Sequence, residues 1–219
     1  MIYEVVVEDY QRKFIELAIS EQVLQFGEFK LKSGRISPYF FNAGRFSTGK
    51  AMATLGSCYA NAISEKCADF DILFGPAYKG IPLATAAVIA LAAEFGRDVP
   101  YCYNRKEAKA HGEGGSLVGG PLRGRVLIVD DVITAGTAVR EVLEIVAAQG
   151  AEVSGVIVGL DRRERGSGKL SAIQEIEVVS GIRVTSIVNI DDILAYGRES
   201  GLDSSILARI EKYQTEFGI

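Results

Sequence analysis

The sequence VLIVDDVITAGTA, residues 126–138, decides the fold because its chemical character changes at one point. Four aliphatic residues predict a buried parallel strand, and two carboxylates follow at its carboxyl end. Two threonines then flank an Ala-Gly pair, and residues 139–146 carry apolar side chains at helical spacing. The stretch therefore predicts a strand, a polar turn and a helix.

The turn between this strand and helix has the chemistry of a phosphate site. Ligands of open α/β sheets bind beyond the carboxyl ends of strands, where a helix amino terminus offers free N–H groups to an anion. Asp130 and Asp131 suit sugar hydroxyls or a hydrated magnesium ion. Helix capping alone would need only one such residue. The acidic pocket of a receiver domain would place its first acids near the start of a short chain, whereas these lie past the middle.

Composition indicates one sizeable α/β domain with a small appendage. The chain has 219 residues, of which 48% are hydrophobic and 24% charged, and this length is sufficient for a single large core. The formal net charge of -4 disfavours a general nucleic-acid binder, which needs a basic face. We therefore expect the basic loops to serve a small anionic ligand.

The sequence favours a cytosolic protein without a membrane partner. Cys58, Cys67 and Cys102 form no CxxC pair and leave one thiol over in any disulfide scheme, which is typical of a reducing compartment. The first nine residues have no basic start and no apolar core of the length that export requires. The apolar run at 81–91 is shorter than the roughly 20 residues of a membrane span.

Apolar spacing predicts elements along the whole chain. An amphipathic first helix is expected over 10–24, and alternation around a Lys-Ser-Gly-Arg turn in residues 29–41 predicts a β-hairpin. This hairpin would belong to a small hood over about 25–48. Beyond it, strands alternate with helices, which predicts a mostly parallel sheet covered on both faces. The expected helices are 49–66, 80–95, 137–149, 172–179, 191–198 and 204–217, and the expected strands are 71–75, 99–104, 126–130, 153–160 and 184–188.

Residues 105–120 show neither a helical nor a strand period. A segment of this length in a compact domain is usually functional or disordered. Its glycines predict mobility, and its positive charge comes from Arg105, Lys106, Lys109 and His111. We interpret it as a flexible lid for a polyanion, with a solvated surface loop as the alternative.

These features converge on one kind of ligand. The sequence GPAYKG at 75–80 is a second strand-end turn before a helix, with Lys79 placed to meet phosphate. The central turn offers a phosphate cradle, the two aspartates suit ribose, and the lid suits another anionic group. Phosphoribosyl pyrophosphate, a sugar with a monophosphate at one end and a pyrophosphate at the other, would use all of them.

The chain resembles the type I phosphoribosyltransferases, and within them the orotate phosphoribosyltransferases. Residues 129–137 carry the likeness to the superfamily, and the stretches 31–35, 37–42, 104–109 and 160–162 carry it to the orotate enzymes. The resemblance implies a single phosphoribosyltransferase domain over 1–219, in which 1–9 is an extension without an assigned role. It implies an α/β fold: a mostly parallel central sheet flanked by helices, with a small N-terminal hood containing a β-hairpin.

The resemblance also implies an activity. The 5-phosphoribosyl group would pass from phosphoribosyl pyrophosphate to N1 of orotate, giving orotidine 5′-monophosphate and pyrophosphate in de novo pyrimidine biosynthesis, with Mg²⁺ as cofactor. Two alternatives stay open. A phosphoribosyltransferase for another base would not need Arg162 opposite a carboxylate. A regulator that senses phosphoribosyl pyrophosphate would usually carry a nucleic-acid-binding module or a basic face.

Site residues follow from the same resemblance. It makes Lys106, Lys109, His111, Asp130 and Asp131 catalytic. Mg²⁺ would be held mainly through substrate, with Asp130 and Asp131 as the protein's own ligands. The donor would be bound by Lys32, Tyr78, Lys79, Arg105, Lys106, Lys109, His111, Asp130, Asp131, Val132, Ile133, Thr134, Ala135, Gly136, Thr137 and Ala138.

The resemblance places orotate at Phe40, Phe41, Thr134 and Arg162. An aromatic ring offers apolar contact to a flat base, and a guanidinium can form a bidentate ion pair with its carboxylate. Since the two phenylalanines alternate in direction, one of them can be hairpin core. A homodimer is also implied, in which the lid closes over the neighbouring subunit's site and Lys106 is contributed in trans.

Overall fold

A computed structural model describes residues 6–109, 115–133, 136–166 and 168–219. Its helices and strands follow the expected alternation closely, and helices at Gly49–Lys66, Gly80–Phe95 and Ser204–Phe217 have the predicted bounds. The helices are α1 (Asp9–Ser20), α2 (Gly49–Lys66), α3 (Gly80–Phe95), α4 (Thr137–Ala148), α5 (Ala172–Ser180), α6 (Ile190–Glu199) and α7 (Ser204–Phe217). The strands are β1 (Leu24–Lys30), β2 (Ile36–Phe41), β3 (Ile72–Gly75), β4 (Tyr101–Lys109), β5 (Gly115–Gly119), β6 (Arg125–Asp130), β7 (Glu152–Asp161) and β8 (Val184–Asn189).

The larger sheet has the order β5-β4-β3-β6-β7-β8. Strand β6 lies between β3 and β7 and is parallel to both, with Ile128 opposite Phe74 on one side and Val156 on the other. Only β5 runs antiparallel among the strands described in this sheet. The predicted fold class is therefore confirmed.

The aliphatic run of β6 is buried because helices cover both faces of the sheet. Leu127 and Val129 face a core shared with α1, α2, α3, α6 and α7. Val126 and Ile128 face a second core shared with α4 and α5. A strand buried on both sides reads as a continuous apolar run, which is the pattern that the sequence shows.

The N-terminal hood contains the predicted hairpin, in which β1 and β2 pair antiparallel. The prediction that the first helix runs to residue 24 is wrong, because α1 ends at Ser20 and Gln22 has a positive φ of 55°. The backbone then turns so that the Val23 carbonyl accepts from the Asn42 amide at 2.8 Å and Leu24 pairs with Phe41. Helical spacing continues past the end of α1 because Val23 and Leu24 are buried in the same core.

The expectation that 105–120 lacks strand structure is wrong at both ends of the segment. Residues 105–109 continue β4, and 115–119 form β5, which pairs with it antiparallel. Pairing with a neighbouring strand supplies backbone hydrogen bonds that composition does not signal, so a charged, glycine-rich stretch can still be a strand. Segment 105–120 therefore begins and ends in two paired strands at the sheet edge. Across the described part of the chain, we find no helix with the length and apolar character needed to cross a bilayer.

Candidate active site

Two polar turns meet at the carboxyl edge of the sheet. Residues 76–79 join β3 to α3, and residues 131–136 join β6 to α4. Because β3 and β6 are parallel neighbours, both turns lie at the same edge. An ion pair links them, in which Lys79 Nζ donates to Asp131 Oδ2 at 2.6 Å. The two strand-end signals of the sequence thus form one site.

Glycines allow the first turn to fold tightly against the end of β6. A Cβ on Gly75 would lie 2.3 Å from the Gly80 carbonyl oxygen. A Cβ on Gly80 would lie 2.4 Å from Pro76 Cδ and 2.8 Å from the Val129 carbonyl oxygen. Since backbone and a proline ring cannot yield as a flexible side chain does, both positions require glycine. This close approach holds Lys79 beside the aspartate pair.

The aspartate pair is held rigidly by its backbone. The carbonyl of Asp131 accepts hydrogen bonds from the amides of Gly159 at 2.9 Å and Leu160 at 3.3 Å. The Tyr59 hydroxyl donates to the Asp130 carbonyl at 2.8 Å, and the Asp131 amide donates to Asp130 Oδ1 at 2.9 Å. The Asp131 side chain is buried, and Lys79 neutralises its charge.

The two carboxyl groups differ in their electrostatic environment. Burial, and then the nearby charge of Asp131, raise the pKa of Asp130 from 3.8 to about 7. Lys79 and the Asp131 amide oppose this rise. In the ligand-free protein Asp130 therefore stays protonated at pH values where a free aspartate is ionised, and a ligand that binds the ionised form would displace the proton.

This shift predicts a pH dependence of stability in the protein free of metal and ligand. Between pH 3.8 and about 7 the folded state holds a proton on Asp130 that the unfolded chain has lost. The free energy of unfolding should therefore fall as pH rises through this window and level off above it. Denaturant melts of wild type and Asp130→Asn across the window test this, because the difference between the two proteins isolates Asp130. A difference that does not change with pH would contradict the assignment.

The second turn leads into the amino terminus of α4. Gly136 precedes the helix with a positive φ of 69°, and its carbonyl accepts from the Arg140 amide at 3.1 Å. Val132 and Ile133 pack against the two cores, so their side chains point away from the turn and their backbone is what a ligand could meet. Thr137 is exposed at the first helical position. Thr134 and Ala135 lie outside the described residues, as does the side chain of Ala138.

Strand β4 contacts the turn at residues 76–79. Lys106 Nζ lies 5.5 Å from the centre of the exposed Tyr78 ring, within the range of a cation–π contact. The Ala77 amide donates to Asn104 Oδ1 at 2.8 Å, and a cis peptide joins Ala77 to Tyr78. Sequence reasoning did not single out Asn104. Asn104 ends the predicted strand 99–104 and opens the stretch 104–109 that carries the family likeness, but neither feature indicates a contact with Ala77.

Of Phe40 and Phe41, the hood exposes only Phe40 to solvent. Phe40 is 38% exposed, and its ring stacks on Phe29 at 5.5 Å between centroids. Phe41 is 8% exposed and packs against Phe14 at 6.2 Å. The expected alternation is thus observed, and Phe41 belongs to the core. Lys32 is exposed at the tip of the hairpin.

Arg162 follows the carboxyl end of β7, the next parallel strand beyond β6. Its guanidinium lies 4.5 Å from the centre of the Tyr39 ring and donates to Ser37 Oγ at 3.2 Å. It also forms an ion pair with Glu164 at 2.6 Å. The sequence predicted no role for Glu164 or Tyr39, because the contacts that Tyr39 makes with Glu164 and Arg162 join residues distant in the chain.

Residues 48–177 match the family model for the phosphoribosyl transferase domain. The chain is 61% identical over 213 residues to an orotate phosphoribosyltransferase of Cellvibrio japonicus. The aligned region covers 97% of this chain and 99% of that protein. It is 59% identical over 210 residues to the enzyme of that name from Cronobacter sakazakii, with coverage of 96% and 99%. The chain belongs to the orotate phosphoribosyltransferase family.

A solved structure agrees with this assignment. The crystal structure of an orotate phosphoribosyltransferase from Francisella tularensis superposes with a TM-score of 0.85 at 43% identity, covering 94% of this chain and 99% of that one. A UMP synthase from Leishmania donovani gives a TM-score of 0.74 at 25% identity, and the match covers 94% of this chain but only 42% of that protein. Membership makes the chain an enzyme of the transferase class.

The described structure brings together some of the residues that the sequence predicts for the donor. Tyr78, Lys79, Asp130, Asp131 and the start of α4 lie at one edge, and Lys106 reaches that edge from β4. Arg105 is part-buried on the same strand. His111 lies outside the described residues, and so does the side chain of Lys109.

The described side chains at this edge that best suit a divalent metal are the carboxylates of Asp130 and Asp131. No cluster of three or more histidine, cysteine, aspartate or glutamate side chains suited to a metal occurs in the described ranges. Asp130 and Asp131 provide a two-residue set of oxygen donors. Such a set fits Mg²⁺ when substrate oxygens and water complete its octahedral shell.

Proposed function

We propose that the protein transfers the 5-phosphoribosyl group of phosphoribosyl pyrophosphate to N1 of orotate. The products are orotidine 5′-monophosphate and pyrophosphate, and the step belongs to de novo pyrimidine biosynthesis. The observation that carries this proposal is the 61% identity to an orotate phosphoribosyltransferase over nearly the whole of both chains. The strand-end site, with its aspartate pair and helix amino terminus, supports it independently.

The donor's three parts match three parts of the site. The 5′-phosphate suits the turn at 131–138, where the amino terminus of α4 offers free N–H groups and its partial positive charge. The ribose hydroxyls suit Asp130 and Asp131. The pyrophosphate suits Lys79 and the basic residues of the lid, of which Lys106 lies near Tyr78.

The reaction needs no covalent nucleophile from the protein, because the ring nitrogen of orotate attacks the ribose carbon directly. As the bond to pyrophosphate breaks, positive charge grows on the ribose and negative charge on the leaving group. Arg105, Lys106, Lys109 and His111 stabilise that negative charge in the transition state. Closure of the lid excludes water that would otherwise hydrolyse the donor.

Asp130 and Asp131 would hold Mg²⁺ together with the hydroxyls and phosphate oxygens of the donor. When bound, the ion neutralises negative charge on the pyrophosphate and orients it for departure. Asp131 keeps its ion pair with Lys79 in the ligand-free protein, so the carboxylate is already oriented toward this edge. The raised pKa of Asp130 implies that ligand binding releases its proton.

The acceptor lies between the hood and the carboxyl end of β7 in this proposal. Phe40 offers an exposed ring for the flat base, and the guanidinium of Arg162 faces its carboxylate. Thr134 adds a polar contact. Phe41 supports the hairpin from the core instead of touching the ligand. A base without a carboxylate would leave the guanidinium unpaired, which favours orotate over adenine.

One assay tests the activity. Orotate, phosphoribosyl pyrophosphate and Mg²⁺ are mixed with the protein, and consumption of orotate is followed by loss of its ultraviolet absorbance. We expect consumption that needs all three components, stops when a chelator removes the metal and resumes when Mg²⁺ is added back. Consumption of adenine instead of orotate would favour the transferase for another base, and consumption of neither would favour the regulator.

We propose a homodimer with the lid shared between subunits, and α3 offers a surface for it. This helix is apolar almost all round, yet Ile89 is 63% exposed and Phe95 is exposed as well. Helices that are apolar on every side are normally covered, which supports a second copy packed on this face.

The unpaired thiols of Cys58, Cys67 and Cys102 are consistent with the cytoplasm.

The shared lid predicts complementation between two inactive variants. Lys106→Ala damages the lid and Asp131→Asn damages the donor edge, so a mixed dimer would contain one site with neither change. After unfolding and refolding an equal mixture, we expect roughly a quarter of wild-type activity, because half of the dimers are mixed and each has one intact site. Each variant refolded alone is the control. A mixture no more active than these controls would show that the lid serves its own subunit.

A further inference from the structure

The carboxylate of Glu164 collects four hydrogen bonds behind the proposed acceptor site. Its Oε1 accepts from Arg162 Nε at 2.9 Å, from Arg162 Nη2 at 2.6 Å and from the Tyr39 hydroxyl at 2.9 Å. Its Oε2 accepts from the Tyr213 hydroxyl at 3.2 Å. The Glu164 side chain is only 12% exposed. A buried carboxylate with this many donors has one available orientation.

These bonds leave one edge of the Arg162 guanidinium available. Nε and Nη2 are used by Glu164 and Ser37, and the Tyr39 ring covers one face of the plane. In the described part of the chain, nothing accepts a hydrogen bond from Nη1. The side chain is 14% exposed, so a mostly buried cation keeps two N–H groups for a ligand. Nη1 can therefore donate to a ligand carboxylate, while Nε and Nη2, which form the side-on fork of the guanidinium, are held by Glu164.

Helix α7 and the hood both contact the segment 162–166, which carries Arg162 and Glu164. Gln214 Nε2 donates to the Arg162 carbonyl at 3.2 Å, and the Arg165 amide donates to the Phe217 carbonyl at 2.8 Å. On the other side, Arg35 of the hairpin turn donates to the carbonyls of Arg165 at 2.7 Å and Gly166 at 3.0 Å. Residues 162–166 are therefore hydrogen-bonded on one side to the hood and on the other to α7.

We propose that Glu164 is a positioning residue for the acceptor and acts through Arg162. Tyr213 of α7 helps to fix the Glu164 carboxylate through its hydrogen bond to Oε2. The inference rests on the proposed function. The negative charge of Glu164 compensates the burial of the guanidinium, and its fixed position sets the direction of the Nη1 edge. Without it, Arg162 would lose both its counter-charge and its orientation, while the donor edge at Asp131 would be unchanged.

Steady-state kinetics of Glu164→Gln test this, with Glu199→Gln as the matched control because Glu199 pairs with Arg12 at the surface, also at 2.6 Å. For Glu164→Gln we expect the KM for orotate to rise about tenfold, with kcat and the KM for phosphoribosyl pyrophosphate within about twofold of wild type. In the reverse direction the KM for orotidine 5′-monophosphate should rise similarly, and that for pyrophosphate should not. Glu199→Gln should change none of these constants.

A merely structural role would lower the active fraction, and thus kcat, at unchanged KM. A folded Glu164→Gln with the wild-type KM for orotate would overturn the inference. If that variant does not fold, Tyr213→Phe is used instead, because it removes one hydrogen bond to Glu164 and keeps the aromatic ring. A KM for orotate raised about twofold or threefold supports the inference, and an unchanged KM overturns it. A wild-type protein that consumes no orotate would instead overturn the proposed function.

Discussion

We expect Asp131→Asn to lower kcat/KM for phosphoribosyl pyrophosphate by about 100-fold, or roughly 2.7 kcal/mol of transition-state stabilisation. The substitution keeps the size of the side chain but removes the charge that pairs with Lys79 at 2.6 Å. The Asp131 carbonyl is held by the amides of Gly159 and Leu160, so we expect the substitution to leave the backbone in place. Initial rates measured over a range of donor concentrations at saturating orotate give the value.

Asp71→Asn is the control for this prediction. Asp71 also pairs with a basic residue, Arg125 at 2.9 Å, but it lies at the amino end of the strands, opposite the proposed site. We expect its kcat/KM to stay within about twofold of wild type, since exposed ion pairs contribute little. An Asp131→Asn protein that melts normally and loses less than about threefold in kcat/KM would remove Asp131 from the donor site.

The second large effect concerns stability, and we expect Gly75→Ala to destabilise the fold by about 3 kcal/mol or more. The added Cβ would lie 2.3 Å from the Gly80 carbonyl oxygen and 2.9 Å from Ala84 Cβ. Relief requires α3 to move away from β3, which separates buried surfaces and displaces Lys79. For a chain of this size we expect a fall in melting temperature of roughly 10 °C.

Gly49→Ala is the matched control for this substitution. A Cβ there would meet nothing within 4 Å, and the residue is the first of α2 with no positive φ. We expect a melting temperature within about 2 °C of wild type, because alanine suits a helix better than glycine. If calorimetry gave equal melting temperatures for the two variants, the close approach at Gly75 would be wrong.

The strand, polar turn and helix around Asp130 and Asp131 could be predicted from sequence because their signals are local. A strand buried on both faces, two acids, a polar turn and an amphipathic helix follow one another within residues 126–146, and the structure reproduces them as β6 and α4. Parallel pairing then brings the 76–79 turn to the same edge. The bounds of α3 and α7 were predictable for the same reason, because capping and apolar spacing act within a few residues.

Elements that depend on distant partners were predicted less well. The strands flanking the lid are set by pairing between β4 and β5, and the end of α1 is set by the turn that lets Leu24 pair with Phe41. Neither residue composition nor helical spacing reports such pairing, since strand formation depends on its neighbours more than on its own sequence.

The sequence by itself determined the α/β fold, the polar turn between β6 and α4 and the family, because short continuous motifs carry each of them. Only the tertiary structure decided that Phe40 rather than Phe41 faces solvent, that Asn104 supports the 76–79 turn, and that Glu164 and Tyr213 stand behind Arg162. The physical reason is that a buried charge must find its partners wherever the chain brings them. Tyr39 and Tyr213 reach Glu164 across separations of 125 and 49 residues.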